Sequence, residues 1–384
     1  MERVLILSAS TGNGHTSAAN ALKEELEARG HVAQVLDCMD HVMPMFKRWF
    51  KGGYEMLVKE SPWIWGHLYR TSDRPLFNYW VQTMLDKRCS YPIDEVIREF
   101  KPTWFLCTHS VVQPRLPKLR KELQAPVAVV VTDLYPHRMW LRGSPDYYFV
   151  PTEESEKVLI SRMPQIEGNT TVTGIPVNVA FANAPNKAEA REKLGMDPNK
   201  PSVLITSGGI GGGPFGEVVA MLSQQDIFLN VVAGRSKEAL RELTERFGNT
   251  PNVKLHGHVD QPTMASFMAA SDLMVGKSGG LTTFEALAVG VPFLVYLPFL
   301  IPGQEEDNAR FLEQIGASMV ATDINDLEVK SKALLSQPEK LEAMSKCAKA
   351  HGKPEAKKMI IDTLLSLDRQ ALLARKDNTL VGTS

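Results

Sequence analysis

The chain has 384 residues, 43% of them hydrophobic and 23% charged, which is enough apolar material for two domains with separate cores. Its formal net charge of -1 gives no long-range attraction to phosphate backbones, which argues against a nucleic-acid partner. The four dispersed cysteines, without metal-ligand spacing, exclude a disulfide scaffold, predict no structural metal and fit a reducing, cytoplasmic compartment.

In chain order, VLILSAS (Val4 to Ser10) predicts an opening strand rather than a signal peptide, because the apolar run is short and ends in a glycine loop. That loop, STGNGH (Ser10 to His15), carries Gly12 and Gly14 for close backbone approach and sets His15 at a helix entrance. An imidazole there can exchange a proton near neutral pH; the other reading is a histidine that caps its own loop. The segment TSAANALKEELEARGH has helical periodicity ended by Gly30, and VAQVLDC predicts a second strand.

Met43 to Trp80 interleaves aromatic with basic residues, and His41 through Arg142 holds 16 Lys and Arg against nine Asp and Glu, an excess of seven. Rings at the headgroup level and cations over anionic lipid make this a candidate monotopic membrane patch, against the alternative of two amphipathic helices packed on the domain. Val289 to Pro302, the most apolar late stretch, falls short of the roughly 20 residues a span requires and is broken by prolines.

The runs TWFLCTHS, PVAVVVTD and DYYFVP each close on a polar residue or turn, as buried parallel strands do where their C-terminal ends line a ligand crevice. Thr108, His109, Thr132 and Asp133 fall on that edge. A linker is expected near residues 175–190, where Pro176 and Pro185 interrupt the pattern. Alternation then restarts with PSVLITSGG, IFLNVVAG, NVKLHGHV, DLMVGKSGG, VPFLVYLP and GASMVA, separated by helix-length segments.

In this second half, SGGIGGGPFG (Ser207 to Gly216) is either a binding turn or a packing turn. It lacks the acidic ribose partner of a dinucleotide fingerprint and the GK[ST] ending of a phosphate loop, so hydride transfer and nucleotide hydrolysis lack support. KSGGLTTFEALAVGVP (Lys277 to Pro292) reads as a glycine turn feeding a helix, with Glu285 one turn inside and PGQEEDNA downstream. Free N–H groups at such an entrance suit a phosphate, and a carboxylate behind them suits sugar hydroxyls.

These motifs together resemble the monogalactosyldiacylglycerol synthase and processive diacylglycerol glucosyltransferase family, glycosyltransferase family 28. STGNGH, VTDLYPHRMW (Val131 to Trp140), KSGG and PGQEEDNA occur in the family's order, and the resemblance covers about residues 1–365. It implies an α/β GT-B architecture with two Rossmann-like domains facing across a cleft. The expected division is an acceptor and membrane-facing domain over 1–178, a UDP-sugar donor domain over 179–365 and a tail over 366–384. It further implies inverting transfer of glucose or galactose from a UDP-sugar, as substrate and not cofactor, to diacylglycerol, without a metal.

On this resemblance His15 is the expected base and Asp133 orients it, unless Asp133 only caps a turn. Gly14, His109, His137 and Trp140 fall at the acceptor and anionic lipid. Ser207, Gly208 and Gly209 form an interdomain phosphate loop, and Arg235 reaches the diphosphate. His258 and Val259 contact the uracil. Gly279, Gly280, Leu281 and Thr282 receive the diphosphate, Glu285 the ribose, and Gln304 and Glu305 the hexose, with Asn308 supporting either group. LPFLIPGQ is longer than the resemblance leads one to expect. The implied location is the cytoplasmic face of the cell membrane. Two rivals stand beside it: a UDP-N-acetylglucosamine transferase acting on a polyprenyl-linked peptidoglycan precursor, and a non-catalytic UDP-sugar sensor.

Overall fold

A computed structural model describes residues 1–10, 13–41, 62–73, 93–209 and 212–377. Gly12, Ile210 and Gly211 lie outside them, as does most of the Met43 to Trp80 patch. The chain divides into two units, Met1–Pro176 with Glu355–Ser384, and Val177–Pro354.

The first unit is built on a parallel sheet ordered β2-β1-β3-β4-β5-β6. Its strands are β1 (Arg3–Ser8), β2 (Val32–Asp37), β3 (Trp104–Cys107), β4 (Val127–Val130), β5 (Tyr147–Val150) and β6 (Thr170–Val172). The helices α1 (Asn13–Ala28), α2 (Pro62–Ser72), α3 (Ile93–Phe100), α4 (Leu116–Leu123) and α5 (Glu153–Arg162) accompany them. Successive residues point to opposite faces, so both faces of the sheet must be apolar. Leu5, Leu7, Phe105, Cys107, Val127 and Val129 join one core. Val4, Ile6, Trp104, Leu106, Ala128 and Val130 join the other.

The expected division after residue 178 lies two residues from the observed one, whereas the second core shows where the expected C-terminal boundary fails. Two helices after residue 355, α15 (Ala356–Ser366) and α16 (Arg369–Asp377), set Ile360, Ile361, Leu364 and Leu372 into the core beside Val4 and Ile6. Fully burying each such side chain is worth roughly 1.5–3 kcal/mol, so their apolar faces belong against this sheet. The buried Arg120 guanidinium, paired with Asp146 at 2.8 Å, also donates to the Leu372 carbonyl at 3.0 Å. The second unit therefore ends at 354 rather than 365, and the described part of the tail belongs to the first unit.

The second unit repeats the plan with a parallel sheet ordered β12-β11-β10-β7-β8-β9. Its strands are β7 (Ser202–Thr206), β8 (Phe228–Val232), β9 (Val253–His256), β10 (Leu273–Gly276), β11 (Phe293–Tyr296) and β12 (Ser318–Ala321). Helices α6 (Val179–Ala182), α7 (Lys187–Lys193), α8 (Phe215–Leu222), α9 (Lys237–Phe247), α10 (Gln261–Ala270) and α11 (Gly280–Val289) are followed by α12 (Glu306–Gln314), α13 (Ile324–Leu335) and α14 (Pro338–His351). Val203, Ile205, Val231, Val275, Leu294 and Tyr296 form its main core.

In each sheet the strand order reverses once, between β1 and β3 and between β7 and β10. Loops leaving the C-terminal ends of such strands diverge to opposite sides and leave a crevice for ligand. His15 follows β1 and Thr108 follows β3; Ser207 follows β7 and Lys277 follows β10. The sequence motifs therefore stand at the two topological switch points.

Candidate active site

At the first switch point, parallel pairing of β1, β3 and β4 brings their ends side by side, with Leu7 opposite Cys107 and Cys107 opposite Val129. His15, in the first turn of α1, sits above these ends. Its Nδ1 lies 3.1 Å from the Thr108 carbonyl oxygen and 2.7 Å from the Thr132 hydroxyl. A carbonyl oxygen can only accept, so this contact selects the Nδ1–H tautomer and leaves the Nε2 lone pair as the basic one. Thr108 holds the helix end from below as well, its hydroxyl donating to the His15 carbonyl at 3.1 Å.

Burial lowers the His15 pKa, opposed by the Asp133 charge and by the Thr108 hydrogen bond. The imidazole is thus neutral at physiological pH, while the carboxylate stands ready to stabilise an imidazolium. Asp133 is fixed in turn by the Trp140 indole, whose Nε1 donates to Oδ2 at 2.7 Å. The His109 ring meets His15 edge-on at a centroid distance of 4.5 Å. Its Nδ1 accepts the Val111 N–H, and burial, with a smaller contribution from His15, holds its pKa well below the usual range. Gly14 is half-buried in the same turn of α1.

His137 and Trp140, expected at the acceptor, are both buried with their polar atoms engaged. His137 Nδ1 accepts the Met139 N–H, and its Nε2 contacts Ser72 Oγ at 3.1 Å and the Tyr69 carbonyl at 3.3 Å. It fastens the 134–142 loop to α2, helped by Asp73, which accepts from Arg162 at 2.8 Å and from the Arg138 N–H at 2.8 Å. In this arrangement His137 holds the loop that follows Asp133, and Trp140 holds the Asp133 carboxylate.

At the second switch point, α11 begins after Gly279, and no side chain caps its entrance. The N–H groups of Gly280, Leu281 and Thr282, the last two half-buried, open this helix. Behind them Glu285 is 8% exposed, with no hydrogen-bond or ion-pair partner among the described residues, and burial pushes its pKa up to about 8. A buried carboxyl without partners is costly and points to a ligand that supplies them. Further buried polar atoms without partners, Ser207 Oγ, Thr283 Oγ1 and Gln304 Oε1, lie in the same motifs.

The loops around this entrance interlock. Gly208, at φ +77°, leaves room for Lys277, whose Cε would lie 3.0 Å from a Cβ there. Arg235 donates its backbone N–H to the Gly209 carbonyl at 3.1 Å, while its exposed guanidinium has no partner among the described residues. His258 is exposed and Val259 half-buried beyond β9. Asn308 donates to the Ser278 carbonyl at 2.6 Å and so ties the two halves of the motif together. Glu305, expected to bind the hexose, is already engaged by Lys277 at 2.8 Å and by the Ile301 N–H at 2.9 Å.

The end of the long segment before Pro302 belongs to the core. Phe299, Leu300 and Ile301 are buried, and Phe299 packs on Phe215 and Tyr296 at centroid distances of 5.2 and 5.4 Å. A side chain at Gly213 would strike Phe299, which accounts for a glycine there. Lys277, paired with Glu305, and Thr283, whose buried Oγ1 has no partner, are candidate site residues that sequence reasoning passed over, although both stand inside the KSGGLTTFEALAVGVP run.

Residues 15–177 match the family model described as monogalactosyldiacylglycerol synthase, and residues 217–360 match the glycosyltransferase family 28 C-terminal domain. A protein of Bacillus cereus (strain 03BB102) named processive diacylglycerol beta-glucosyltransferase is 29% identical over 379 residues, covering 95% of this chain and 93% of that protein. The crystal structure of MurG from Acinetobacter baumannii aligns with a TM-score of 0.63 at 16% identity, over 96% of this chain and all of that one. HepE of Anabaena, solved in complex with UDP-glucose, aligns with a TM-score of 0.58 at 14% identity, over 96% of this chain and all of that one. At these identities the two solved structures establish the GT-B fold alone.

Proposed function

The chain belongs to glycosyltransferase family 28, its first half being of the monogalactosyldiacylglycerol synthase type, and on that premise we propose that it transfers a hexose, glucose or galactose, from a UDP-sugar to the free hydroxyl of diacylglycerol with inversion at the anomeric carbon. The observation that carries this reading is Glu285, a buried carboxyl without partners one turn inside a glycine-opened helix. Ribose hydroxyls would donate to it while the diphosphate takes the N–H groups of Gly280, Leu281 and Thr282.

In this reading His15 Nε2 accepts the proton of the acceptor hydroxyl. The freed oxygen lone pair forms the bond to C1, and the bond from C1 to the β-phosphate oxygen breaks, its electron pair leaving with UDP. The helix entrance and the Arg235 guanidinium stabilise the departing diphosphate, so neither a cofactor nor a divalent metal is required. Ser207 to Gly209 border that diphosphate, His258 and Val259 the uracil, and Gln304 the hexose.

Diacylglycerol is reached from a membrane surface. No helix among the described residues is long and apolar enough to cross a membrane. Trp63, 71% exposed, and Leu68, 43% exposed, on α2 support peripheral contact with a membrane surface through apolar side chains. The Bacillus relative's name agrees with a β-linked product. Magnetic resonance of the glycolipid formed from the α-configured donor tests the inversion: a β-glycoside, formed at an unchanged rate in EDTA, is expected. An α-glycoside, or loss of turnover in the chelator, would contradict it.

A further inference from the structure

The Lys277–Glu305 pair lies where the proposed reading needs an anion to bind. Glu305 Oε1 sits 3.4 Å from the position a Cβ would take on Gly279, the residue that opens α11. Its carboxylate is thus held at the helix entrance by the Ile301 N–H on one oxygen and Lys277 Nζ on the other, both side chains largely buried at 13% and 9% exposure. An uncompensated carboxylate there would take the favourable helix-end potential for itself and repel a diphosphate brought to the same N–H groups. The Lys277 stem packs over Gly208, beside the loop that follows β7.

We infer that Lys277 is a positioning residue for the donor: its ammonium neutralises Glu305 at the entrance of α11 and so admits the UDP diphosphate there. This rests on the reading of that entrance as the diphosphate site. Lys277 also holds Glu305 against the Ile301 loop, one residue beyond Gln304, so the same pair fixes the segment proposed to meet the hexose. A structural lysine would serve any ligand of this unit equally; a neutralising one serves only those that carry phosphate.

The test is calorimetric titration of the full chain with UDP, alongside ligand-observed magnetic resonance with uridine, which lacks the phosphates. Lys277→Met is expected to weaken UDP by about 10- to 100-fold and leave uridine unchanged. Adding Glu305→Gln should restore UDP to within about threefold of the unmodified chain, since the double variant has no charge left to compensate. Lys277→Arg should keep most of the affinity. UDP affinity unaltered by Lys277→Met, an equal loss of uridine, or no recovery in the double variant would each overturn the inference. Failure of the unmodified chain to bind UDP would overturn the donor reading itself, and this inference with it.

Discussion

Replacing His15 by alanine is expected to lower kcat by about 10²- to 10⁴-fold, the usual contribution of a positioned general base, while UDP affinity stays unchanged. The expectation follows from the contact of Nδ1 with the Thr108 carbonyl, which fixes the tautomer and leaves Nε2 basic. Its pH dependence has a definite sign. The active form is the neutral imidazole, and burial outweighs Asp133 and Thr108 to lower the pKa from 6.5. Turnover should therefore be level through neutral pH and fall only as pH drops through a value below 6.5. Asp133→Asn removes a charge that raises this pKa, so the acid limb should move further down while the rate falls. Undiminished glycolipid output from His15→Ala would refute the base assignment.

Glu285→Gln should weaken UDP by about 10- to 100-fold, because a charged acceptor for the ribose hydroxyls becomes a neutral amide. The same substitution should alter stability in the opposite direction. The folded pKa, about 8, stands above the ordinary carboxyl value of 4.5, so the fold favours the protonated acid. The stability contributed by that preference is complete below pH 4.5, declines as pH rises and is lost through about 8. Thermal unfolding of the ligand-free variant should match the unmodified chain near pH 4.5 and exceed it at pH 8. Ribose binding favours the carboxylate, so UDP should bind more tightly as pH approaches 8 and release a proton at neutral pH, which the Gln variant will not do. Unchanged UDP affinity in that variant would remove Glu285 from the site.

Much of the fold is legible in the sequence, for physical reasons that also mark where legibility stops. Parallel strands buried on both faces are written as continuous apolar runs, so TWFLCTHS, PVAVVVTD and DLMVGKSGG disclosed strands and the polar residues at their ends. The short edge strand β6, half-buried throughout, has no such run and went unread. The return of α15 and α16 to the first unit was equally hidden. The pattern of Ile360, Ile361 and Leu364 says that a helix has an apolar face, but not which sheet will cover it.

The placement of individual site residues divided in the same way. The positions of His15, Asp133 and Glu285 at a strand end or a helix entrance were legible because those ends are marked close by in sequence. His137 was not, since its partners Tyr69, Ser72 and Asp73 come from a segment more than 60 residues earlier. Glu305 was read as free for the hexose because nothing local announces Lys277, 28 residues before it. Spacing identifies a residue type at a place; only the fold decides whether its polar atoms are available to a ligand.

Transfer of a hexose from a UDP-sugar to diacylglycerol is the central step proposed for this chain. The direct measurement is incubation of the full chain with UDP-glucose, UDP-galactose or UDP-N-acetylglucosamine against diacylglycerol vesicles and, separately, a polyprenyl-linked acceptor, with lipid products identified by mass and sugar composition. This step predicts hexosyl-diacylglycerol, formed with equimolar UDP, from UDP-glucose or UDP-galactose. Turnover only with the amino sugar, or only onto the polyprenyl acceptor, would contradict it.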